Sequence, residues 1–399
     1  FQLGVVINAF SKEGKLGGFA IDVFYRDREV FDSFKAFGVF NTKRDEKTNG
    51  VTGKYIFDLT IFNREVNFVT GIDYYKYEND ILGVVGNVDD ITITKEELGV
   101  YGYLEFEMFD DLFFNGGTRF HQADYDFDQR NVVVQTSRKP DEWVSMGGLK
   151  YEYAQGSNIF FNIQQTFRFL ATDEWYSTAN FPGFGITPGL NLDLEHQTGK
   201  QFEFGIKHNY QDKIELSATP YFIRIKDEIF FDPVTFANDN YDETRRLGVE
   251  LTQSTDLLSF FPLEFFDALE YVTGYTYQHA EFHEVANDGK KIPFVPTHQV
   301  STGLRASFLD AIKASLMANY VGSRFAINDT LNETSRLKPY VVVDGKLAFS
   351  KEHYEVFVAI NNIFDEKYDT YTSKSTSSTT KSHFPAPERN FNVGAKLRF

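Results

Sequence analysis

Apolar and polar residues alternate along many extended stretches of this chain. The C-terminal stretch shows the pattern best, because every second residue is apolar at Phe391, Val393, Ala395, Leu397 and Phe399. A period of two is that of a β-strand with one apolar and one polar face. The pattern predicts about seventeen strands, at 2–10, 17–30, 51–60, 64–77, 96–108, 112–126, 142–154, 158–169, 199–210, 213–226, 243–253, 267–280, 297–308, 311–323, 338–349, 353–363 and 389–399.

The connections between these strands alternate in length. Short links lie at 11–16, 61–63, 109–111, 155–157, 211–212, 309–310 and 350–352, and long polar links lie between the other pairs. Only 254–266 breaks the alternation. This layout predicts an all-β transmembrane antiparallel β-barrel with short periplasmic turns and long extracellular loops. A soluble propeller or large sandwich is the rival fold, but the chain has no blade repeat of about forty residues.

Composition supports the strand prediction and excludes several kinds of site. Phe 43, Tyr 22 and Trp 2 make the chain 17% aromatic, which favours strands. The mean hydropathy is −0.35, and the sequence has no run of 18 apolar residues that would form a transmembrane helix. With Cys 0, disulfides and thiolate metal sites are excluded, and a net charge of −17 disfavours nucleic acid as a partner.

Several short tracts follow one another in a fixed order. The most specific is Asn361-Asn362-Ile363-Phe364-Asp365-Glu366-Lys367-Tyr368, followed by 384–391 and a last strand that ends in Phe399. Upstream tracts lie at 99–120, 192–207, 221–229 and 246–251. Together they resemble the C-terminal barrel of TonB-dependent outer-membrane receptors. Glu388 and Leu194 depart from the resemblance, since the family usually has Gly and Pro at these two points.

The resemblance implies one outer-membrane β-barrel domain over 1–399, located in the bacterial outer membrane of a Gram-negative cell. Members of the family have a 22-strand barrel around a plug, so seventeen strands lead us to expect that the plug and the first strands are missing. The implied function is energy-coupled uptake of a scarce nutrient such as a ferric siderophore or cobalamin. The implied partners are that ligand, the TonB energy-coupling complex acting through the plug, and outer-membrane lipid and lipopolysaccharide.

Two other functions fit parts of the pattern. A passive porin or fatty-acid channel would share the alternation but would lack the C-terminal tracts. A soluble β-rich carbohydrate-binding or hydrolytic protein would share the strands but would need no detergent. The sequence has no G-x-S-x-G elbow, P-loop or His-Glu-x-x-His, so we predict neither an enzyme nor a resident cofactor.

Candidate binding residues fall into two groups. Aromatic residues in long loops are expected to contact the ligand, because binding residues tend to lie on loops above a rigid scaffold; they are Trp175, Tyr176, Tyr368 and Tyr371. Charged residues on the polar face of strands are expected to line a wet lumen, because Arg or Lys in lipid costs about 2–4 kcal/mol. These are Arg119, Glu203, Lys207, Arg246, Glu250, Lys396 and Arg398.

Two further groups have spacings that a metal site would need. Asp124, Asp126 and Asp128 alternate along one strand face and could hold Ca²⁺ or divalent ions that bridge lipopolysaccharide phosphates. A like-charged extension of the strand is the interpretation we favour. His279, Glu281 and His283 alternate in the same way and could bind a transition metal, although a solvated loop stem is the favoured interpretation.

Overall fold

The computed structural model describes residues 2–10, 17–34, 40–61, 64–85, 90–130, 134–175, 190–232 and 237–397. The chain divides into two compact units. Unit 1 comprises Phe1–Lys150, Asn162–Gln201 and Ile225–Asp242, and unit 2 comprises Tyr151–Phe161, Phe202–Arg224 and Glu243–Phe399. In the described part of the chain, no helix is long and apolar enough to cross a membrane.

Strands make up nearly all of the described secondary structure. They are β1 Gln2–Phe10, β2 Gly18–Phe34, β3 Phe40–Ile61, β4 Arg64–Val85, β5 Asp90–Phe109, β6 Leu112–Gln129, β7 Val134–Arg138, β8 Asp141–Ala154, β9 Ser157–Arg168, β10 Gln197–Tyr210, β11 Ile214–Asp232, β12 Ala237–Asp256, β13 Ala268–Phe282, β14 His298–Phe308, β15 Ile312–Val321, β16 Tyr340–Lys351, β17 Tyr354–Asn361, β18 Asp369–Lys374, β19 Lys381–Pro385 and β20 Asn390–Leu397.

Eighteen of these strands belong to one sheet, and β18 and β19 form a separate two-stranded hairpin. Neighbours in the chain pair antiparallel, as in β2 to β6 within unit 1 and β12 to β17 within unit 2. Both β7 and β8 pair with β6, and only Lys139 and Pro140 separate β7 from β8 in the chain. The two strands therefore occupy one strand position of the sheet. All seventeen predicted strands are therefore confirmed.

The structure differs from the prediction mainly at the strand ends that lead into long loops, which we call the loop ends. β3 begins at Phe40 rather than at 51, and β5 begins at Asp90 rather than at 96. The Ser/Thr-rich stretch from Thr370 to Ser382, where the alternation predicts no strand, contains most of β18 and the start of β19. We call the opposite ends of the strands, where the short links lie, the turn ends. The longer link 257–267 also lies at the turn ends and includes a 3-10 helix over Leu257–Ser259.

The apolar face of β4 and β5 near the turn ends is exposed. Here the register places even-numbered residues side by side, with Tyr74 opposite Leu98 and Ile72 opposite Val100. Ile72 is 51% exposed and Val100 is 45% exposed, values typical of the surface that a membrane strand presents to lipid.

Towards the loop ends the same face becomes charged. Lys76 and Glu96, two register rows beyond Tyr74 and Leu98, form an ion pair of 2.8 Å. The buried apolar side chains now lie on the odd-numbered face, at Ile91, Ile93 and Tyr125. The apolar face therefore switches sides at this row, as expected where a strand leaves the hydrocarbon layer.

Candidate functional site

Arg119, a predicted lumen residue, lies on the odd-numbered face of β6 and is held by side chains of the same face. Its Nη1 donates to Asp73 Oδ2 on β4 at 2.7 Å, and its Nε donates to His121 Nδ1 at 3.1 Å. The guanidinium also lies over the Tyr101 ring, 5.5 Å from the centroid. These contacts place a paired charge on the odd-numbered strand face of unit 1.

The other predicted wall residues that the structure describes lie on strands of unit 2. Lys207 pairs with Glu215 at 2.9 Å, and Arg246 Nη1 donates to Thr244 Oγ1 at 2.9 Å. Glu203 is half-buried, Glu250 and Lys396 are exposed, and Arg398 lies outside the described residues. That these side chains line a lumen stays a prediction.

Beyond the row where the apolar face switches, Lys95 is buried on the odd-numbered face of β5. Its Nζ lies 2.5 Å from Glu97 Oε1 and donates to the Leu170 carbonyl at 2.8 Å. Burial lowers the pKa of Lys95, while the neighbouring Glu97 carboxylate opposes this shift. His121 adds a buried Nε2 for which the described residues supply no hydrogen-bond partner.

An apolar cluster fills the loop-end part of unit 1 around Trp175. Tyr125 and Phe127 stack with their rings 6.0 Å apart, and the indole meets them edge-on at 5.3 and 5.1 Å. Trp175 is only 2% exposed, so the structure gives it a packing role. Its predicted ligand contact is untested, and Tyr176 lies outside the described residues.

Neither metal candidate is a cluster of ligands in the structure, and no such cluster of three His, Cys, Asp or Glu exists among the described residues. Asp124 pairs with Lys139 at 2.5 Å, and Asp128 pairs with Arg130 at 3.2 Å. Asp126 is exposed on the same strand face. Cations therefore neutralise two of the three carboxylates, as in a charged strand extension.

The second metal candidate is split by the end of a strand. His279 and Glu281 lie on β13, with His279 Nε2 2.9 Å from Glu281 Oε2. β13 ends at Phe282, so the alternation stops there and His283 Nδ1 turns to Asp288 Oδ1 at 3.0 Å. His283 thus pairs with a different carboxylate from His279, and metal binding by the three residues stays a prediction.

A further candidate binding site is a pocket in the loops of unit 2, which we call the Arg324 pocket. Its volume is about 590 Å³, and residues of 324–340, 366–369 and 379–383 line it. The first segment folds back on itself, since Leu337 N donates to the Arg324 carbonyl at 2.7 Å. It also docks on β18, where Ile327 N donates to the Thr372 carbonyl at 2.9 Å.

Aromatic rings frame one side of the Arg324 pocket. Tyr340 and Tyr368 stack with centroids 4.3 Å apart, and the Arg324 guanidinium lies 5.5 Å from the Tyr340 centroid. Tyr368 is one of the predicted ligand contacts and lines the pocket. Tyr371, another predicted contact, packs edge-on against Phe384 instead.

Charged side chains line the rest of the pocket, and the sequence analysis did not single them out. The lining includes the cations Arg324, Arg336, Lys338, Lys367 and Lys381 together with Glu366 and Asp369. Asp369 Oδ2 already accepts from Thr372 Oγ1 at 3.2 Å and lies 2.6 Å from His383 Nδ1. The sequence signal was available, because four of these cations lie in two loops of an acidic chain.

Comparison with known proteins gives the family. Residues 8–363 match the family model described as TonB dependent receptor-like, beta-barrel. An uncharacterized TonB-dependent receptor of Haemophilus influenzae is 24% identical over 285 residues, which is 62% of this chain and 79% of that protein. The pesticin receptor of Yersinia enterocolitica is 23% identical over 302 residues, which is 71% of this chain and 41% of that receptor.

Solved structures share the fold. The ferric citrate transporter FecA in its unliganded form aligns over 100% of this chain with a TM-score of 0.80 and 14% identity. The ferric yersiniabactin uptake receptor FyuA from Yersinia pestis aligns over 100% with a TM-score of 0.76 and 15% identity. This chain covers 61% of each of those two chains.

These matches agree on one architecture and one class of protein. The seventeen strand positions form the antiparallel sheet of such barrels, and the family is made of transport receptors rather than enzymes. The chain therefore belongs to the TonB-dependent receptor β-barrel family of the bacterial outer membrane.

Proposed function

We propose that this chain is the barrel portion of a receptor for energy-coupled uptake of a scarce nutrient such as a ferric siderophore or cobalamin. The ligand would be captured by the outer loops, and a TonB energy-coupling complex would drive its passage by moving a plug. The observation that carries the proposal is the Arg324 pocket, whose volume of about 590 Å³ suits a small molecule. Similar proteins named as ferric chelate transporters support it.

A passive porin or fatty-acid channel is the alternative. Such a channel needs a continuous lumen but no binding pocket built from its loops. Stacked Tyr340 and Tyr368 beside a buried arginine favour specific capture over free diffusion, because a flat aromatic surface and a fixed charge orient a ligand. A soluble carbohydrate-binding or hydrolytic protein conflicts with membership in an outer-membrane family.

Uptake in cells tests the proposal. The full-length gene, expressed in an iron-limited strain that lacks its own receptors, should restore uptake of a labelled ferric siderophore or of labelled cobalamin. We expect uptake to stop when TonB is deleted or the proton gradient is dissipated. Uptake that persists without TonB would support the passive channel and overturn the proposal, as would failure to take up every compound of a broad chelate panel.

A further inference from the structure

The Arg324 pocket has a charge opposite to that of the whole chain. The protein carries a formal charge of −17, but the pocket is lined by five arginines and lysines and by only two carboxylates. Lys338 and Lys367 are exposed and available to solvent at the pocket wall. A concave surface with one sign of charge concentrates small ligands of the opposite sign.

Arg324 itself is the most informative residue of the pocket. The residue is only 5% exposed, and its Nη1 atom is buried with no hydrogen-bond partner among the described residues. The guanidinium lies against the faces of Phe294 and Tyr340, at 4.6 and 5.5 Å from the centroids. Ring faces attract a cation but do not satisfy its N–H donors, so the Nη1 donors of Arg324 lack an acceptor among the described residues.

Of the two carboxylates on the pocket wall, Asp369 is engaged by other side chains. Asp369, on the pocket wall, lies 2.6 Å from His383 and accepts a hydrogen bond from Thr372. Lys381 is likewise held, since it donates to the Ser335 carbonyl and lies 3.2 Å from Ser335 Oγ. A buried guanidinium donor without an acceptor is costly, and an anion that entered the pocket would remove this cost.

We propose that the Arg324 pocket binds a small polyanion through carboxylate or phosphate groups, with one such group accepting from the Arg324 guanidinium. The planar guanidinium suits two oxygens of one group, whereas a lysine offers only a point charge. Lys338 and Lys367 attract a second anionic group at the rim. The conclusion that the transported nutrient is such an anion rests on the proposed function. The conclusion that the pocket binds an anion does not.

Binding to purified full-length protein tests the inference without any transport step. Citrate and inorganic pyrophosphate are the probes, titrated by calorimetry at low and at physiological salt. We expect Arg324→Gln to weaken binding by between about tenfold and a hundredfold, the range for losing hydrogen bonds to a charged group. Arg324→Lys should recover only part of the affinity, and higher salt should weaken binding to the wild type.

The matched control is Arg305→Gln. The Arg305 side chain is 59% exposed on β14, pairs with Glu270 at 3.4 Å and does not line the pocket, so its loss should leave affinity unchanged. Lys338→Gln adds a test at an exposed site, where the substitution should not affect folding. We expect it to weaken probe binding by a few-fold. Thermal unfolding without probe should be the same or higher for Arg324→Gln, because the unpaired buried charge is removed.

Two outcomes would overturn the inference. One is no binding of either probe at millimolar concentration, and the other is equal affinity of wild type and Arg324→Gln. Nanodiscs with phosphatidylglycerol or with a zwitterionic lipid separate two sources of the anion. Competition only by phosphatidylglycerol would identify a lipid headgroup phosphate, and no competition would identify a soluble ligand. Failure of TonB-dependent uptake with intact probe binding would reject the proposed function alone.

Discussion

Two loop regions with similar aromatic content have different structures in this protein. In unit 1, Trp175 packs edge-on against Tyr125 and Phe127 and is only 2% exposed, whereas in unit 2 the stacked Tyr340 and Tyr368 lie beside a pocket of about 590 Å³. The difference lies in the neighbours. An aromatic residue of a loop packs into the core when the neighbouring strands have buried apolar side chains. It lines a cavity when its neighbours are cations, because these need solvent or an anion as a partner.

The largest expected effect concerns the packed region. Trp175→Ala should lower the free energy of unfolding by about 3–5 kcal/mol, because a fully buried indole leaves a cavity. Urea titration of the full-length protein in lipid vesicles measures it. Trp143→Ala is the control, since the chain's other tryptophan is 62% exposed and should cost clearly less. Equal costs for the two variants would mean that the cluster contributes no packing energy.

The next prediction tests the alternation on which both regions are built. Leu104 lies on the even-numbered face of β5 opposite Phe68, and Glu105 lies on the other face. Leu104→Arg should therefore cost about 2–4 kcal/mol by placing a cation in lipid, and Glu105→Arg should cost much less. The folded fraction after assembly into vesicles, read from gel mobility without heating, gives the comparison. Similar folded fractions would contradict the register of β5.

A smaller effect is expected at the Arg324 pocket. Tyr368→Ala should lower the free energy of unfolding by only about 0.5–1.5 kcal/mol, the value of one aromatic pair, but should weaken binding of pyrophosphate several-fold. Tyr371→Ala, outside the pocket lining, should leave probe affinity unchanged. If the Tyr371 variant lost affinity and the Tyr368 variant did not, the two aromatic residues would have to exchange roles.

The smallest effect is a dependence on pH in the packed region. Because burial lowers the pKa of Lys95 below the usual 10.5, the unfolded chain holds this proton more tightly than the folded protein. The free energy of unfolding should therefore rise as the pH increases through the window between the folded pKa and 10.5. Urea titrations at several alkaline pH values measure this slope, and Lys95→Met should reduce it. An unchanged slope in the variant would assign it to another group.

The sequence predicted the strands wherever one face contacts lipid. In β6, Leu112, Phe114 and Phe120 are even-numbered, and this run was detected. Further along, the buried residues Tyr125 and Phe127 are odd-numbered, because the core replaces lipid as the apolar surface. The sequence analysis looked for apolar residues on one fixed face of each strand. It therefore included Asp124 in its strand but did not recognise the buried face formed by Tyr125 and Phe127. For the same reason it placed the start of β5 too late.

The candidate site was only partly predictable. Tyr368 could be proposed because it is an aromatic residue in a long loop, but the same rule selected Trp175, which is buried. Arg324 was missed, since its meaning depends on burial and on the absence of an acceptor, which the sequence does not reveal. The segments 324–340 and 379–383 meet only through the folding of two loops, so no local spacing could have connected them.

The length of β3 and β4 affects the electrostatics of ligand arrival. Each has 22 residues, about twice the 9–11 that a tilted membrane strand needs, so roughly 40 Å of paired strand extends past the hydrocarbon layer at about 3.3 Å per residue. That is several times the Debye length of about 8 Å at physiological ionic strength. The potential of the lipid headgroups is screened over such a distance, so a solute approaching the rim of unit 1 responds to the protein's own charges.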